Sequence, residues 1–344
     1  MQKPILILKI GTASITRADG SPDEPVMVDI ARQASLLHQR YSLLIVSSGA
    51  VGSGKRFLKS YSGQIGERKA AAAIGNPVLL GKYAQFFAPY GIPIAQILCE
   101  RQHFSRREQF LQLRETVHTL WENGVIPIAN ENDVVSNLEL KFSDNDELAT
   151  LMAVGLGAEL LLLGTSVPGV YNAEKQVVPL IELFDEQVMG LANSEKSGSG
   201  LGGMVSKLTF ARLATRLGIR VVIFGVRTPE GILSAAEGKT GTLCLPQPSS
   251  LSARNRWLAG GSLVTGRIRV DEGAHKALEK RSSLLAVGIL EVEDGFEKGE
   301  VVEIVTREMT PIAVARVRAS SEDIRGHLQA RDFVVAHADD IVLL

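Results

Sequence analysis

Four short stretches of the 344-residue chain combine lysines, glycines and Asx side chains at spacings that suit phosphate chemistry. Lys9-Ile10-Gly11-Thr12 closes the first apolar run. A lysine there stands where a buried strand emerges, and Gly11 lets a ligand approach backbone N–H groups that can hold phosphate oxygens. A solvated lysine at a strand end fits this tetrapeptide equally well. Ser47-Ser48-Gly49-Ala50-Val51-Gly52-Ser53-Gly54-Lys55 follows a second apolar run and places three glycines in six residues. Such a loop suits close approach of backbone to an anion. Its G-x-x-x-x-G-K spacing approaches a P-loop, but Arg56 stands where that motif needs a hydroxyl for Mg²⁺. The alternative is a glycine-rich turn from strand to helix.

Asn130-Glu131-Asn132-Asp133 follows a third apolar run, and Asp144-Asn145-Asp146 comes shortly after. These groups could bind a substrate amine, orient a lysine or assist a metal. Asp144 or Asn145 could equally cap the following helix. Ser197-Gly198-Ser199-Gly200-Leu201-Gly202-Gly203-Met204 holds four glycines within six residues and opens a helix with Lys207 in its first turn. A lysine at that end opposes the helix dipole, so an anion neutralising both is expected. Together the lysines and glycine loops describe phosphoryl transfer without a covalent intermediate. Lys9 and Lys207 flank the transferring group and loop amides hold the phosphates. The six histidines show no metal-ligand spacing, and no Ser-His-Asp or Cys-His arrangement stands out.

Strand and helix patterns alternate through the first 240 residues and place these groups. Apolar runs at 5–10, 43–47, 93–98, 125–129, 160–164 and 221–224 read as strands. Helical periodicity covers 28–39, 69–88, 106–123, 146–155 and 204–217. That alternation predicts an α/β fold, a mostly parallel sheet sandwiched by helices, with ligands beyond the carboxyl ends of the strands. The texture changes at a Pro/Ser-rich stretch, so the expected division is a catalytic domain at 1–245, a linker at 246–261 and a small β-rich module at 262–344. In that module strands are expected at 262–270, 284–292, 300–305, 312–317 and 333–336, with helices near 273–280 and 322–329.

Composition narrows the classes. With 45% hydrophobic and 22% charged residues the chain is an ordinary globular protein, not a disordered one. Its 37 basic and 38 acidic side chains give no global drive toward nucleic acid or anionic membrane. The charge is nevertheless uneven: residues 262–344 hold 11 basic and 15 acidic side chains, a net -4, against +3 for the rest. An RNA-binding role for the module therefore lacks the basic footprint that such binding uses. Two cysteines cannot form a disulfide framework, and no targeting or membrane segment is recognisable, so a cytoplasmic location is expected.

The set Lys9-Ile-Gly-Thr, Ser47-Ser-Gly-Ala, Asn130-Glu-Asn-Asp133, Phe142-Ser-Asp-Asn-Asp146 and Gly202-Gly-Met-Val-Ser-Lys207 resembles the glutamate 5-kinases of the amino acid kinase superfamily. Ala253-Arg-Asn-Arg-Trp257, Val270-Asp-Glu-Gly-Ala274 and Arg281-Ser-Ser-Leu-Leu285 resemble that family's C-terminal PUA domain. The resemblance implies transfer of phosphoryl from ATP to the γ-carboxylate of L-glutamate, the first step of proline biosynthesis, with Mg²⁺ held by the ATP phosphates. It implies that Lys9 and Lys207 stabilise the transferring group and that Asp146 orients them. Ser48, Gly49, Asp133, Asp144 and Asn145 fall on the glutamate side by the same likeness. On the nucleotide side are Lys9, Gly11, Thr165, Ser166, Ser199, Gly200, Leu201, Gly202, Gly203, Met204 and Lys207. Proline as a feedback inhibitor and assembly as a dimer or tetramer are further implications. Related kinases acting on aspartate or N-acetylglutamate are the nearest alternatives. Two positions depart from the family pattern. Ser166 stands where an aspartate is usual, and Ser143 replaces the glycine before Asp144-Asn145-Asp146.

Overall fold

The computed structural model describes residues 3–17, 19–105, 107–135, 144–191, 203–247, 264–293 and 295–343. The chain forms two compact units, Met1–Arg101 with Gln112–Ser249 and Gln102–Leu111 with Ser250–Leu344.

The first unit is built on β1 (Ile5–Ile10), β2 (Ser42–Ser47), β3 (Ile94–Cys99), β4 (Ile126–Glu131), β5 (Leu160–Thr165), β6 (Leu180–Ile181), β7 (Arg220–Gly225) and β8 (Thr242–Cys244). They form one sheet in the order β3-β4-β2-β1-β5-β7-β8-β6. The six expected strands are all present, within about two residues at each end. Short β6 and β8 were not foreseen, and β8 runs antiparallel to β7 in an otherwise parallel sheet. β1 is flanked by β2 and β5, so successive connections leave it toward opposite sides. A crevice at the carboxyl end of β1 follows from that reversal.

The α-helices described up to residue 247 are α1 (Thr12–Ile15), α2 (Glu24–His38), α3 (Ala50–Lys55), α4 (Ile65–Phe87), α5 (Gln102–Ser105), α6 (Arg107–Glu122), α7 (Asn145–Leu156), α8 (Glu186–Gly190), α9 (Met204–Arg216) and α10 (Gly231–Ala236). The pleat divides β1 between two layers. Leu6, Leu8 and Ile10 join a buried cluster with α2, α4 and α10. Ile7 and Lys9 face the opposite side, where α7 packs on β1 and α9 on β7. Lys9 therefore emerges beneath α7 and α9, although its strand neighbours are all apolar.

The glycine-rich stretch after β2 turns at Gly49 and runs directly into helix α3, the strand-to-helix reading of that sequence. Gly54 and Gly75 let α3 and α4 cross backbone to backbone. A Cβ on Gly75 would lie 1.7 Å from the Ala50 carbonyl oxygen, and one on Gly54 would lie 1.9 Å from that of Ala71. Those glycines serve helix packing. Gly49 alone among Gly49, Gly52 and Gly54 has a left-handed backbone, with φ 107°, and it turns the chain from Ser48 into α3.

The second unit carries a five-stranded sheet, β11-β9-β12-β13-β15, and a two-stranded β10-β14 pair. These are β9 (Val264–Val270), β10 (Leu284–Leu285), β11 (Ile289–Glu293), β12 (Val301–Val305), β13 (Pro311–Arg316), β14 (Val334–Ala336) and β15 (Ile341–Leu343). The strand expected at 284–292 is broken by a 3₁₀ turn at Ala286–Gly288, and β15 was not foreseen. The expected helices appear at Glu272–Glu279, capped by Asp271, and at Ser321–Gly326, which opens with a Ser320/Asp323 capping box. Arg267 is engaged by Glu303 at 2.9 Å and Glu293 at 3.4 Å, and Arg269 pairs with Glu291. The β9 arginines are thus neutralised across the sheet.

Candidate active site

Lys9, Asp146 and Lys207 arrive from β1, α7 and α9 and meet in the interior. Lys9 Nζ lies 2.6 Å from Asp146 Oδ1, and Lys207 Nζ donates to Asp146 Oδ2 at 2.9 Å. Each oxygen of one carboxylate holds one lysine. Asp146 is fully buried, and the two lysine side chains are only 5% and 6% exposed. Burial pushes the Asp146 carboxyl upward, but Lys9 and Lys207 outweigh it and hold the group below the ordinary aspartate range. Its contribution to stability is therefore complete above that range and is lost only as pH falls through the lower folded value. Burial, with the Lys207 charge, pulls Lys9 below the usual lysine value, and Asp146 only partly restores it. Two cations on one anion leave the trio one positive charge in excess, which favours a further anion. The anion that Lys207 was expected to need at the start of its helix is, in part, supplied by Asp146.

The Asx cluster is ordered by the N-terminus of α7. Asp144 is its cap: Oδ1 accepts from the backbone N–H of Asp146 at 2.8 Å and of Glu147 at 3.2 Å. Ser206 Oγ bonds the other oxygen of Asp144, tying the first turn of α9 to that of α7. Asp144 thus has the capping role that was one of its two readings. Asn145 Nδ2 donates to Ser48 Oγ at 2.7 Å and to Asn130 Oδ1 at 3.1 Å. Asn145 Oδ1 is buried and has no hydrogen-bond partner among the described residues, so it is an acceptor available to a ligand. Asp133 is partly buried in the turn after β4.

On the other side of Lys9, Gly11 precedes α1, and a Cβ there would lie 3.6 Å from Lys9 Nζ. Thr165 ends β5 half-buried, and Ser166 is exposed. Gly203 caps α9, and Met204, its first residue, is buried. The first-turn amides of α9, in the turn that carries Lys207, have no partner within the helix. Ser199, Gly200, Leu201 and Gly202, with Ser143, lie outside the described residues.

Residues unmarked in the sequence also enter. Arg101, just beyond β3, pairs with buried Glu147 at 2.7 Å and braces the first turn of α7. Gly164 lets β5 approach β1, since a Cβ there would lie 2.7 Å from the Lys9 carbonyl oxygen. A carboxylate following Asp146 could have flagged Glu147, whereas its partner is far away in sequence. Among the described residues no group of three or more His, Cys, Asp or Glu side chains could hold a metal ion. Lys55 ends α3, where its stem approaches Gly20. Lys55→Ala is accordingly expected to keep kcat within about threefold, against losses of 10²-fold or more for a phosphate-binding lysine. Steady-state ADP release checks this, and a loss of that larger size would restore the P-loop reading.

Comparison with known proteins agrees with this arrangement. Residues 4–225 match the amino acid kinase family, and residues 266–331 match the PUA domain. The glutamate 5-kinase of Vibrio vulnificus (strain YJ016) is 35% identical over 366 residues, covering 100% of this chain and 97% of that protein. The glutamate 5-kinase of Thermoanaerobacter sp. (strain X514) is 34% identical over 330 residues, covering 93% and 89%. Among solved structures, a carbamate kinase from Giardia lamblia bound to AMP-PNP aligns with a TM-score of 0.52 over 71% of this chain and 99% of that one. At 17% identity it shares the fold alone. The sandwiched sheet, the lysine–aspartate–lysine bridge and full-length likeness agree: the chain belongs to the amino acid kinase family, with the glutamate 5-kinases as its relatives over both units.

Proposed function

We propose that the chain transfers the γ-phosphoryl group of ATP to the γ-carboxylate of L-glutamate, giving L-glutamyl 5-phosphate and ADP, the first step of proline biosynthesis. The observation that carries this reading is the pair of buried lysines on the two oxygens of Asp146. A carboxylate oxygen of the acceptor attacks the γ-phosphorus while the bond to the bridging oxygen of ADP breaks. Negative charge spreads over the phosphoryl oxygens, and the excess cation of the trio stabilises it. An acceptor carboxylate is already ionised at neutral pH, so no general base is required. Both reactants are anionic, and cationic screening lets them reach attack distance.

Ser48, Gly49, Asp133 and Asn145 serve the acceptor, with Asp144 holding the α7 turn that presents Asn145. Gly11, Thr165, Ser166, Gly203, Met204 and the first-turn amides of α9 serve the nucleotide. Mg²⁺ arrives with ATP as part of the donor substrate. This agrees with the commitment of the buried Asp146 carboxylate to two lysines. The domain assignment that goes with this reading is catalytic at 1–245, linking at 246–261 and PUA-like at 262–344. A cytoplasmic location fits two buried free cysteines. No helix among the described residues is long and apolar enough to cross a membrane. Proline sensitivity and assembly as a dimer or tetramer are carried over from the family resemblance.

Measuring ADP release and hydroxamate formation with glutamate, aspartate and N-acetylglutamate, each with and without proline, tests the reading. Glutamate is expected to be the preferred acceptor. Preference for either alternative overturns it.

A further inference from the structure

Helix α4 carries none of the residues marked for chemistry, yet one of its faces meets the acceptor side of the site twice. Tyr83 OH lies 2.9 Å from Ser47 Oγ, immediately before Ser48. Two turns earlier, Asn76 Oδ1 accepts from Asn130 Nδ2 at 3.1 Å. Asn130 Oδ1 accepts from Asn145 Nδ2, and that same nitrogen donates to Ser48 Oγ. Asn76 of α4, Asn130 of β4, Asn145 of α7 and Ser48, just after β2, therefore form one continuous hydrogen-bonded chain of side chains. Its inner members are buried, with Asn76 6% and Asn130 5% exposed.

The direction of that chain matters. An asparagine amide has an oxygen end and a nitrogen end of nearly equal size, and only its partners decide which way it lies. With the Asn76 oxygen on the Asn130 nitrogen, the Asn130 oxygen faces Asn145. Reversing Asn130 would set two NH₂ groups against each other, turn Asn145 away and free Ser48. Packing alone does not explain an asparagine at position 76. Its Nδ2 is buried and has no hydrogen-bond partner among the described residues, which costs stability relative to an apolar side chain of the same shape.

We infer that Asn76 is a positioning residue for the acceptor subsite, acting through Asn130 to hold Asn145 and Ser48 in their binding arrangement. The inference rests on the reading of those two residues as acceptor-binding. Asn76→Leu removes the oxygen and keeps the branched outline with a somewhat larger side chain, whereas Asn76→Asp keeps an oxygen toward Asn130. In the full chain, Asn76→Leu is expected to raise KM for glutamate about tenfold, the scale of one lost buried hydrogen bond. Its KM for ATP should be unchanged and its melting temperature close to that of the parent, since the unpaired Asn76 Nδ2 is lost while Asn130 Nδ2 loses its acceptor. Asn76→Asp is expected to stay within about threefold of the parent KM. An unchanged glutamate KM in Asn76→Leu overturns the inference. So does a melting temperature that falls together with a rise in both KM values, which marks a structural role. If the parent protein turns over aspartate or N-acetylglutamate instead, the acceptor reading fails. The same comparison with that acceptor then judges Asn76 separately.

Discussion

Lys207→Ala is expected to lower kcat by about 10²–10³-fold, the range seen when one preorganised charge-stabilising donor is removed. Lys9→Ala should do the same. Either change removes the excess positive charge and leaves Asp146 holding a single lysine in a site that is nearly closed to water. Single-turnover measurement of ADP formation separates this loss from any change in substrate affinity. Asp146→Asn provides a sharper test, because it leaves both lysines in place. Burial already draws the Lys9 pKa down, and the Asp146 charge only partly offsets that. Without the carboxylate the Lys9 pKa must fall further, so the alkaline limb of the kcat–pH profile moves to lower pH. A profile that keeps its alkaline limb in place would show that Asp146 does not govern the charge on Lys9.

Gly75→Ala is the second large effect, and it is mechanical in origin. The added methyl group would stand 1.7 Å from the Ala50 carbonyl oxygen and 2.6 Å from the Ala50 carbonyl carbon. Neither is the movable end of a side chain, so α3 and α4 must separate. A loss of about 3 kcal/mol or more is expected, at the upper end of what overpacking costs. Because α3 begins where Ser48 and Gly49 end, KM for the acceptor should rise as well. Gly81 supplies the control in the same helix. No neighbouring atom lies within 4 Å of a Cβ placed there, so Gly81→Ala should be neutral or stabilise by about 0.4–1 kcal/mol. Urea unfolding of the two variants against the parent protein checks the contrast. Equal stabilities would mean that the helices can slide apart without loss.

What could be read in the sequence follows from which interactions are local. β1 opens with four apolar residues before Lys9, β5 opens with four leucines, and α9 begins after a glycine cluster, so their types were legible from pattern. The cap at Asp144 and the lysine in the first turn of α9 are local in the same sense. The extent of α3 was not legible, because Gly52 and Gly54 are poor helix formers in isolation. Only the backbone of α4, distant in sequence, gives Gly54 a use. β8 is three residues long, and its antiparallel pairing with β7 depends on tertiary contact. That Lys9, Asp146 and Lys207 act together was expected from residue type and from the family resemblance, whereas the packing that joins them, α7 on β1 and α9 on β7, depends on tertiary contact. Asn76 and Arg101 lacked any local signal, since the partner of each lies more than forty residues away.

The two lysines on one aspartate also decide when conformational freedom is surrendered. A lysine side chain has about 2 kcal/mol of rotamer entropy to lose when it is held in one geometry. Here Asp146 and the surrounding helices hold both ammonium groups before any reactant arrives. That entropy is given up once, when the chain folds, and is recovered only when it unfolds. Each turnover therefore starts from charges already in place, and the ordering still required is mainly that of the reactants themselves.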